Sequence, residues 1–306
     1  MTTREEASRA NERGNDAKEA KRLDEAEAEY LRARSLAPDF DAPWFNLGVL
    51  YKWQARWPEA RSCVERALEL GTENRAGALW NLGIIATAQG DWAVARRAWT
   101  EYGIDVPEGE GPIQMALGLT PVRMKVDGHE VVWCDRIDPA RAVVRSIPIP
   151  ESGRRFGDLL LHDGAPAGHR MLGGREVAVF DELALLAPSS VHTYAVTVLA
   201  PSRAAMEKLL RAFSKASLPV EDWSDSVRLI CEACSVGRPH AHDAHDEAER
   251  PWNTERRVGV AAESASRIVK VLESWRRGRG WLPKLLGGIR PAYESPECVV
   301  QGVPAA

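Results

Sequence analysis

Two thiols and three imidazoles within 15 residues form the strongest chemical signal in this sequence: Cys231, Cys234, His240, His242 and His245. The C-x2-C spacing lets both sulfurs face one point from a single turn, and Cys and His are the ligands that tetrahedral Zn²⁺ prefers. We therefore predict a zinc-binding loop over residues 231–246, in which both cysteines, His240 and one of the two later histidines bind the ion. Four ligands close the coordination shell, which favours a structural role for the zinc.

Other interpretations of this loop remain open. If only three side chains bind the ion, the open position could activate a water molecule, as in a metal-dependent hydrolase or nuclease. The spacing also resembles a zinc knuckle, but the first histidine comes one residue late and the final cysteine is missing, so the nucleic-acid binding of knuckles carries over only weakly. A redox C-x2-C is disfavoured because a Gly/Pro loop follows it instead of a helix. The remaining alternative is an exposed polar loop without metal.

Two further stretches carry groups that could do chemistry. His162-Asp163, with His169-Arg170 close behind, offers an acid–base pair, although His-Asp-Gly is also typical of a hairpin turn. A basic run at Arg276–Trp281, followed by Lys284 and Arg290, could bind phosphates or simply complement the dipole at a helix C-terminus. We expect no nucleic-acid partner, because the run is short and the whole chain has a net charge of −4.

An internal repeat organises the first third of the chain. Each repeat pairs a glycine with a large side chain sixteen residues later: Gly14 with Tyr30, Gly48 with Val64, and Gly83 with Trp99. The glycines are 34 and 35 residues apart, and an alanine lies four residues before each large side chain. Small residues suit the close crossing of two helices, and large ones fill the gap between hairpins. The spacing predicts three helical hairpins: Ala7–Lys21 with Asp24–Ser35, Pro43–Trp53 with Pro58–Leu70, and Gly77–Gln89 with Trp92–Tyr102.

This pattern resembles the tetratricopeptide repeat (TPR) family over about 100 residues. The resemblance implies an all-α array whose inner groove binds an extended peptide or a partner helix. Asn15 and Asn46 match asparagines of the family's clamp for chaperone C-termini, but Asn11, Gly77 and Asn81 replace its cations, which disfavours a chaperone-tail receptor. Asn15, Asn46 and Asn81 are therefore our candidates for contact with a protein or peptide partner. The alternative is a dock for another part of this chain or for a second copy.

After a TPR-like domain over residues 1–108 and a Gly/Pro-rich linker over residues 109–118, the pattern changes to short strands. We predict an α+β domain over residues 119–306, and hence a multidomain chain. Asp127-Gly128 predicts a tight turn between two of its strands. The expected strands are Val122–Val126, Glu130–Asp135, Ala142–Pro148, Gly157–Leu161, Glu176–Phe180 and Thr193–Ala200; the expected helices are Pro201–Ala216 and Ala261–Arg277, with a loop and strand at Leu218–Ile230 between them.

The composition narrows the location and the class of function. No stretch approaches the ~18 apolar residues of a membrane span, and the polar N-terminus lacks the apolar core of a signal peptide. Five cysteines without a framework spacing indicate thiols or metal ligands in a reducing compartment. We expect a cytoplasmic, bacterial adaptor that binds a protein partner through its helices and carries a zinc-stabilised second domain. A metal-dependent hydrolase or nuclease and a nucleic-acid-binding regulator are the alternatives.

Overall fold

The computed structural model describes residues 3–125, 130–224, 252–277 and 290–291. The chain forms two compact units, a helical unit that extends to Met115 and a β-rich unit that begins at Ala116. Six consecutive helices make up the helical unit: α1 Thr3–Glu19, α2 Leu23–Leu36, α3 Asp41–Trp53, α4 Trp57–Glu69, α5 Arg75–Gln89 and α6 Trp92–Tyr102.

The six helices pack as neighbouring pairs, α1 with α2, α3 with α4 and α5 with α6, and successive pairs also contact each other. Local signals set the helix ends. The side chain of Asn74 accepts a hydrogen bond from Gly77 N at 3.1 Å and begins α5, and Gly90 ends that helix with a left-handed φ of 71°, a conformation that costs glycine little. The three predicted helical hairpins are confirmed as a helical array, with α1 beginning four residues earlier than expected.

The repeat glycines lie directly against the large side chains that follow them by sixteen residues. A Cβ atom added to Gly14 would lie 2.5 Å from Tyr30 Cε1, and one added to Gly48 would lie 2.5 Å from Val64 Cγ2. A Cβ atom added to Gly83 would lie 2.6 Å from Trp99 Cε2. The three large side chains are fully buried. The repeated spacing therefore has a steric cause, because each hairpin closes only where its first helix carries no side chain.

Five strands of the β-rich unit close a small barrel, and a sixth forms a hairpin with one of them. The strands are β1 Leu119–Arg123, β2 Val131–Arg136, β3 Arg141–Val144, β4 Leu159–His162, β5 Gly168–Leu172 and β6 Arg175–Ala187. Strands β1, β2, β3, β4 and β6 are antiparallel neighbours in that order, and β1 pairs in parallel with β6 to close the barrel. β5 pairs with the first part of β6. The barrel core is apolar and contains Val122, Met124, Val132, Cys134, Ala142, Val144 and Leu160.

The barrel differs from the sequence prediction in its later strands. β3 ends at Val144 instead of Pro148, and a short 3₁₀ turn at Pro150–Ser152 follows. β5 was not expected at all, and β6 has 13 residues where only Glu176–Phe180 was expected. The predicted tight turn at Asp127-Gly128 lies outside the described residues.

The other residues of the β-rich unit that the structure describes form a second sheet with two helices. Its elements are β7 His192–Leu199, α7 Arg203–Lys215, β8 Val220–Asp222, β9 Glu255–Ala262, α8 Ala265–Arg277 and β10 Arg290–Pro291. The strand order is β10-β7-β9-β8, and every pair is antiparallel. The described elements follow one another as βαββαβ, and with this strand order they have the ferredoxin-like arrangement. The helices pack against one face of the sheet through residues such as Leu209, Phe213, Ile268 and Leu272.

Two predictions for this sheet have clear outcomes. The expected helix at Pro201–Ala216 is confirmed, and the side chain of Ser202 accepts a hydrogen bond from Ala205 N at its start. The expected helix at Ala261–Arg277 begins only at Ala265, because Ala261 and Ala262 complete β9, a strand that the sequence did not predict.

Trp223, directly after β8, joins the second sheet to the barrel. Its ring covers Gly259 of β9 so closely that a Cβ atom there would overlap the indole. Its Nε1 donates to the carbonyl oxygen of Ile147 at 3.0 Å, in the segment that follows β3. Trp223 also packs with Ile147, Ile149 and Ala261 in one buried cluster, so it fixes the sheet against the barrel.

Candidate functional site

Three asparagines and a tyrosine form a polar seam across the first two hairpins. Asn46 Nδ2 on α3 donates to Asn11 Oδ1 at 2.9 Å and to Asn15 Oδ1 at 3.2 Å, both on α1. Tyr30 on α2 donates its hydroxyl proton to Asn15 Oδ1 at 2.8 Å. We call Asn11, Asn15 and Asn46, together with Lys52 and Asn81 described next, the asparagine seam. It follows the face on which the first helices of the hairpins meet.

The seam continues between α3 and α5. The ammonium group of Lys52 donates to Asn81 Oδ1 at 2.8 Å and lies 5.5 Å from the centre of the Trp53 ring. Asn81 Nδ2 in turn donates to the carbonyl oxygen of Gly77 at 2.7 Å. Lys52 is only 3% exposed and Asn81 only 6%, so this end of the seam places a positive charge in the interior, in contact with an amide oxygen and an aromatic ring.

The predicted contact residues differ in accessibility. Asn15 and Asn46 are half-buried, whereas Asn81 is buried. Sequence reasoning did not single out Lys52, because it occupies none of the cation positions of the family clamp. Carboxamides offer both donors and acceptors. The half-buried part of the seam, at Asn15 and Asn46, therefore has the chemistry to bind peptide groups, whereas Lys52 is buried.

The phenol groups beside the seam are held in their neutral form. Burial and the nearby Glu19 raise the pKa of Tyr30 to about 12. Burial and a hydrogen bond to Glu27 raise the pKa of Tyr51 to about 12, and Arg56 Nη1 pairs with the same carboxylate at 3.0 Å. Both hydroxyl groups therefore remain hydrogen-bond donors throughout the physiological range of pH.

The predicted zinc ligands Cys231, Cys234, His240, His242 and His245 lie outside the described residues. The residues that flank them are closely bound. Asp222, at the end of β8, forms an ion pair with Arg256 of β9 at 2.7 Å, and the Arg256 guanidinium lies 4.4 Å above the Trp252 ring. Arg257 N donates to Ser224 Oγ at 2.7 Å. The two described segments that flank residues 225–251 therefore lie side by side and are closely bonded to each other.

The second candidate group is not assembled as an acid–base pair. His162 is the last residue of β4 and is fully buried in the barrel, whereas His169 is exposed on β5. The predicted basic run begins at the end of α8, and its side chains from Arg276 onwards, including those of Lys284 and Arg290, lie outside the described part of the chain. Within the described residues, no group of three or more His, Cys, Asp or Glu side chains is placed to hold a metal ion.

No family model matches the chain, and no curated protein matches it. None of the described helices combines the length and the apolar character that a membrane crossing needs.

Proposed function

We propose that this protein is an adaptor whose helical array is of tetratricopeptide type and binds an extended peptide or helix of a protein partner. The observation that carries the proposal is the asparagine seam. Uncharged and charged hydrogen-bonding groups line the face shared by α1, α3 and α5. If this face served only to stack the hairpins on one another, we would expect apolar side chains there. The three glycine contacts against Tyr30, Val64 and Trp99 support the TPR assignment, because they repeat in every hairpin.

Asn15 and Asn46 are the residues through which we expect the partner to bind. They are half-buried, and each keeps hydrogen-bonding capacity beyond the bonds within the seam, since a carboxamide has two donors and two acceptor lone pairs. Asn81 is better interpreted as a support for Lys52, because it is buried and bonded to that ammonium group. Changing Asn81 would therefore disturb packing as well as binding.

A capture experiment with the full-length chain tests the adaptor function. The partner retained by the wild-type chain should be lost or strongly reduced with Asn15→Ala/Asn46→Ala, and retained with Arg66→Ala, which removes a charge from an exposed position on α4. Sedimentation of the purified chain distinguishes an external partner from a second copy of the same chain. A partner that binds both variants as well as it binds the wild-type chain, and also binds after deletion of residues 1–107, would contradict the adaptor function.

We further propose that a structural Zn²⁺ ion stabilises the stretch between β8 and β9. Two thiolates and the imidazoles of His240 and either His242 or His245 fit a closed tetrahedral shell. The close contact of the two flanks through Asp222, Arg256 and Ser224 supports this role, because a metal would then organise a long insertion on a fixed base. The test is the metal content of protein purified without chelator, compared between the wild-type chain and Cys231→Ser/Cys234→Ser.

A further inference from the structure

The barrel encloses a histidine that is held by packing alone. The side chain of His162 is fully buried, and within the described chain neither Nδ1 nor Nε2 has a hydrogen-bond partner. Its ring stacks on Phe180 of β6, with the centroids 4.8 Å apart and the planes inclined by 13°. A buried polar group of this kind is tolerated only while it is uncharged.

A positive charge near His162 opposes its protonation. The guanidinium of Arg136 on β2 lies 4.7 Å above the ring of Phe180. Burial, reinforced by Arg136, holds the pKa of His162 well below its usual range. The barrel core adds Cys134 on β2, where burial raises the pKa of the thiol and keeps it neutral.

The carboxylates nearest to His162 along the strands are already engaged. Its neighbour in the ladder is Glu182. The Glu182 carboxylate accepts from Arg154 Nε at 2.6 Å and from the backbone N–H of Lys125, two residues after β1, at 2.9 Å. Asp181 forms a bidentate ion pair with Arg123. Asp163, the next residue in the chain, donates its backbone N–H to the carbonyl oxygen of Asp181 at 2.9 Å, and its side chain makes no hydrogen bond to His162.

The pairing between strands is irregular where His162 lies. The register between β4 and β6 shifts between Leu161 and His162, and β4 ends there. The turn that follows contains Gly164 with a φ of 72°. This end of β4 can therefore separate from β6 with the loss of few hydrogen bonds, as is typical of local opening.

We propose that His162 is an acid-sensitive latch, which keeps the end of β4 closed against β6 while its imidazole is neutral and releases it on protonation. A proton binds the open form, in which water solvates the imidazolium and Arg136 no longer faces it across the ring of Phe180. The closed form is fully favoured above a pH of about 6.5, the ordinary pKa of histidine, and loses that advantage as the pH falls. The opening equilibrium should rise about tenfold for each pH unit below that value.

Hydrogen exchange of the full-length chain between about pH 7.5 and pH 5 tests the latch. Protection factors, which correct for the intrinsic pH dependence of exchange, should fall about tenfold per pH unit below about 6.5 for amides of residues 159–166. Amides of α5 should show no such fall. His162→Leu should abolish the pH dependence in residues 159–166, and His169→Gln, which changes an exposed histidine on β5, should preserve it.

Three results would overturn the proposal. One is protection of residues 159–166 that does not depend on pH in the wild-type chain. Another is the same pH dependence in His162→Leu as in the wild-type chain. If that variant does not fold, the wild-type chain decides the matter: an imidazole of His162 that titrates near its ordinary pKa by NMR, while the barrel amides stay protected, excludes a latch.

Discussion

A methyl group added at Gly48 should destabilise the helical array, although the same change usually stabilises a helix. Replacing glycine by alanine in a helix interior normally contributes about 1 kcal/mol. At Gly48 the new Cβ would lie 2.5 Å from Val64 Cγ2, and Val64 is fully buried, so it has no free space to enter. Overpacking of this kind costs about 1–3 kcal/mol, and we expect a net loss of about 1 kcal/mol for Gly48→Ala.

The sign of the effect should reverse when the obstructing methyl group is removed. Val64→Ala deletes Cγ2 and costs about 2 kcal/mol by itself, through lost burial and a small cavity. In that background the nearest remaining neighbours of the new methyl group are Val64 N at 3.3 Å and Ala60 O at 3.4 Å, contacts that are tight but tolerable. Gly48→Ala should then increase the stability, by up to about 1 kcal/mol. The difference between the two backgrounds is a coupling energy of about 2 kcal/mol.

Urea unfolding of the full-length chain, followed by helical circular dichroism, measures these free energies. Because the two units of the chain can unfold separately, hydrogen exchange of the amides of α3 and α4 should be measured alongside it to report the array alone. If Gly48→Ala stabilises the array in the wild-type background, or if its effect has the same sign with Val64→Ala, the steric explanation of the repeat spacing is wrong.

Further predictions concern the β-rich unit and the metal. Gly259→Ala should destabilise that unit by about 1–3 kcal/mol, because the new methyl group would overlap the Trp223 ring. Thermal unfolding followed by tryptophan fluorescence measures this loss, and unchanged stability would contradict the prediction. Cys231→Ser/Cys234→Ser should remove zinc and lower the melting temperature of the same unit while the helices remain folded, since a structural ion can contribute about 10 kcal/mol or more of apparent folding free energy. Cys298→Ser is the matched control; metal-free wild-type protein with zinc-independent melting would refute the metal site.

The helical array was predictable because its constraint is local and repeated. Each glycine and its large partner lie sixteen residues apart, on the two helices of one hairpin. A fixed spacing in the sequence therefore corresponds to a direct contact in the structure. The start of α1 was not predicted, because Arg4 and Glu5 are exposed and so do not extend the helical spacing of apolar residues. The contacts among Asn11, Asn15 and Asn46 follow from equivalent positions in adjacent repeats. Lys52 was missed because it matches none of the clamp positions of the family that the repeats resemble.

The β-rich unit was less predictable because its closure depends on distant residues. The barrel closes through the parallel pairing of β1 with β6, where Arg123 meets Asp181 across 58 positions of sequence, and no local pattern shows this. β9 was missed because it begins with charged residues and contains Gly259, whose small size is required only by Trp223. The environment of His162 was also hidden, because the His-Asp-Gly sequence is typical of a turn and only the structure shows that the imidazole is fully buried.

The affinity of the captured partner for seam variants tests the adaptor proposal most directly. We propose titrating the purified partner into the wild-type chain, Asn15→Ala/Asn46→Ala and Arg66→Ala, with circular dichroism to establish that all three remain helical. The loss of two hydrogen-bonding side chains, at about 0.5–1.5 kcal/mol for each bond, should weaken binding by about 5-fold to 150-fold. Arg66→Ala should bind like the wild-type chain. Equal affinity for all three chains would show that the asparagine seam does not bind the partner.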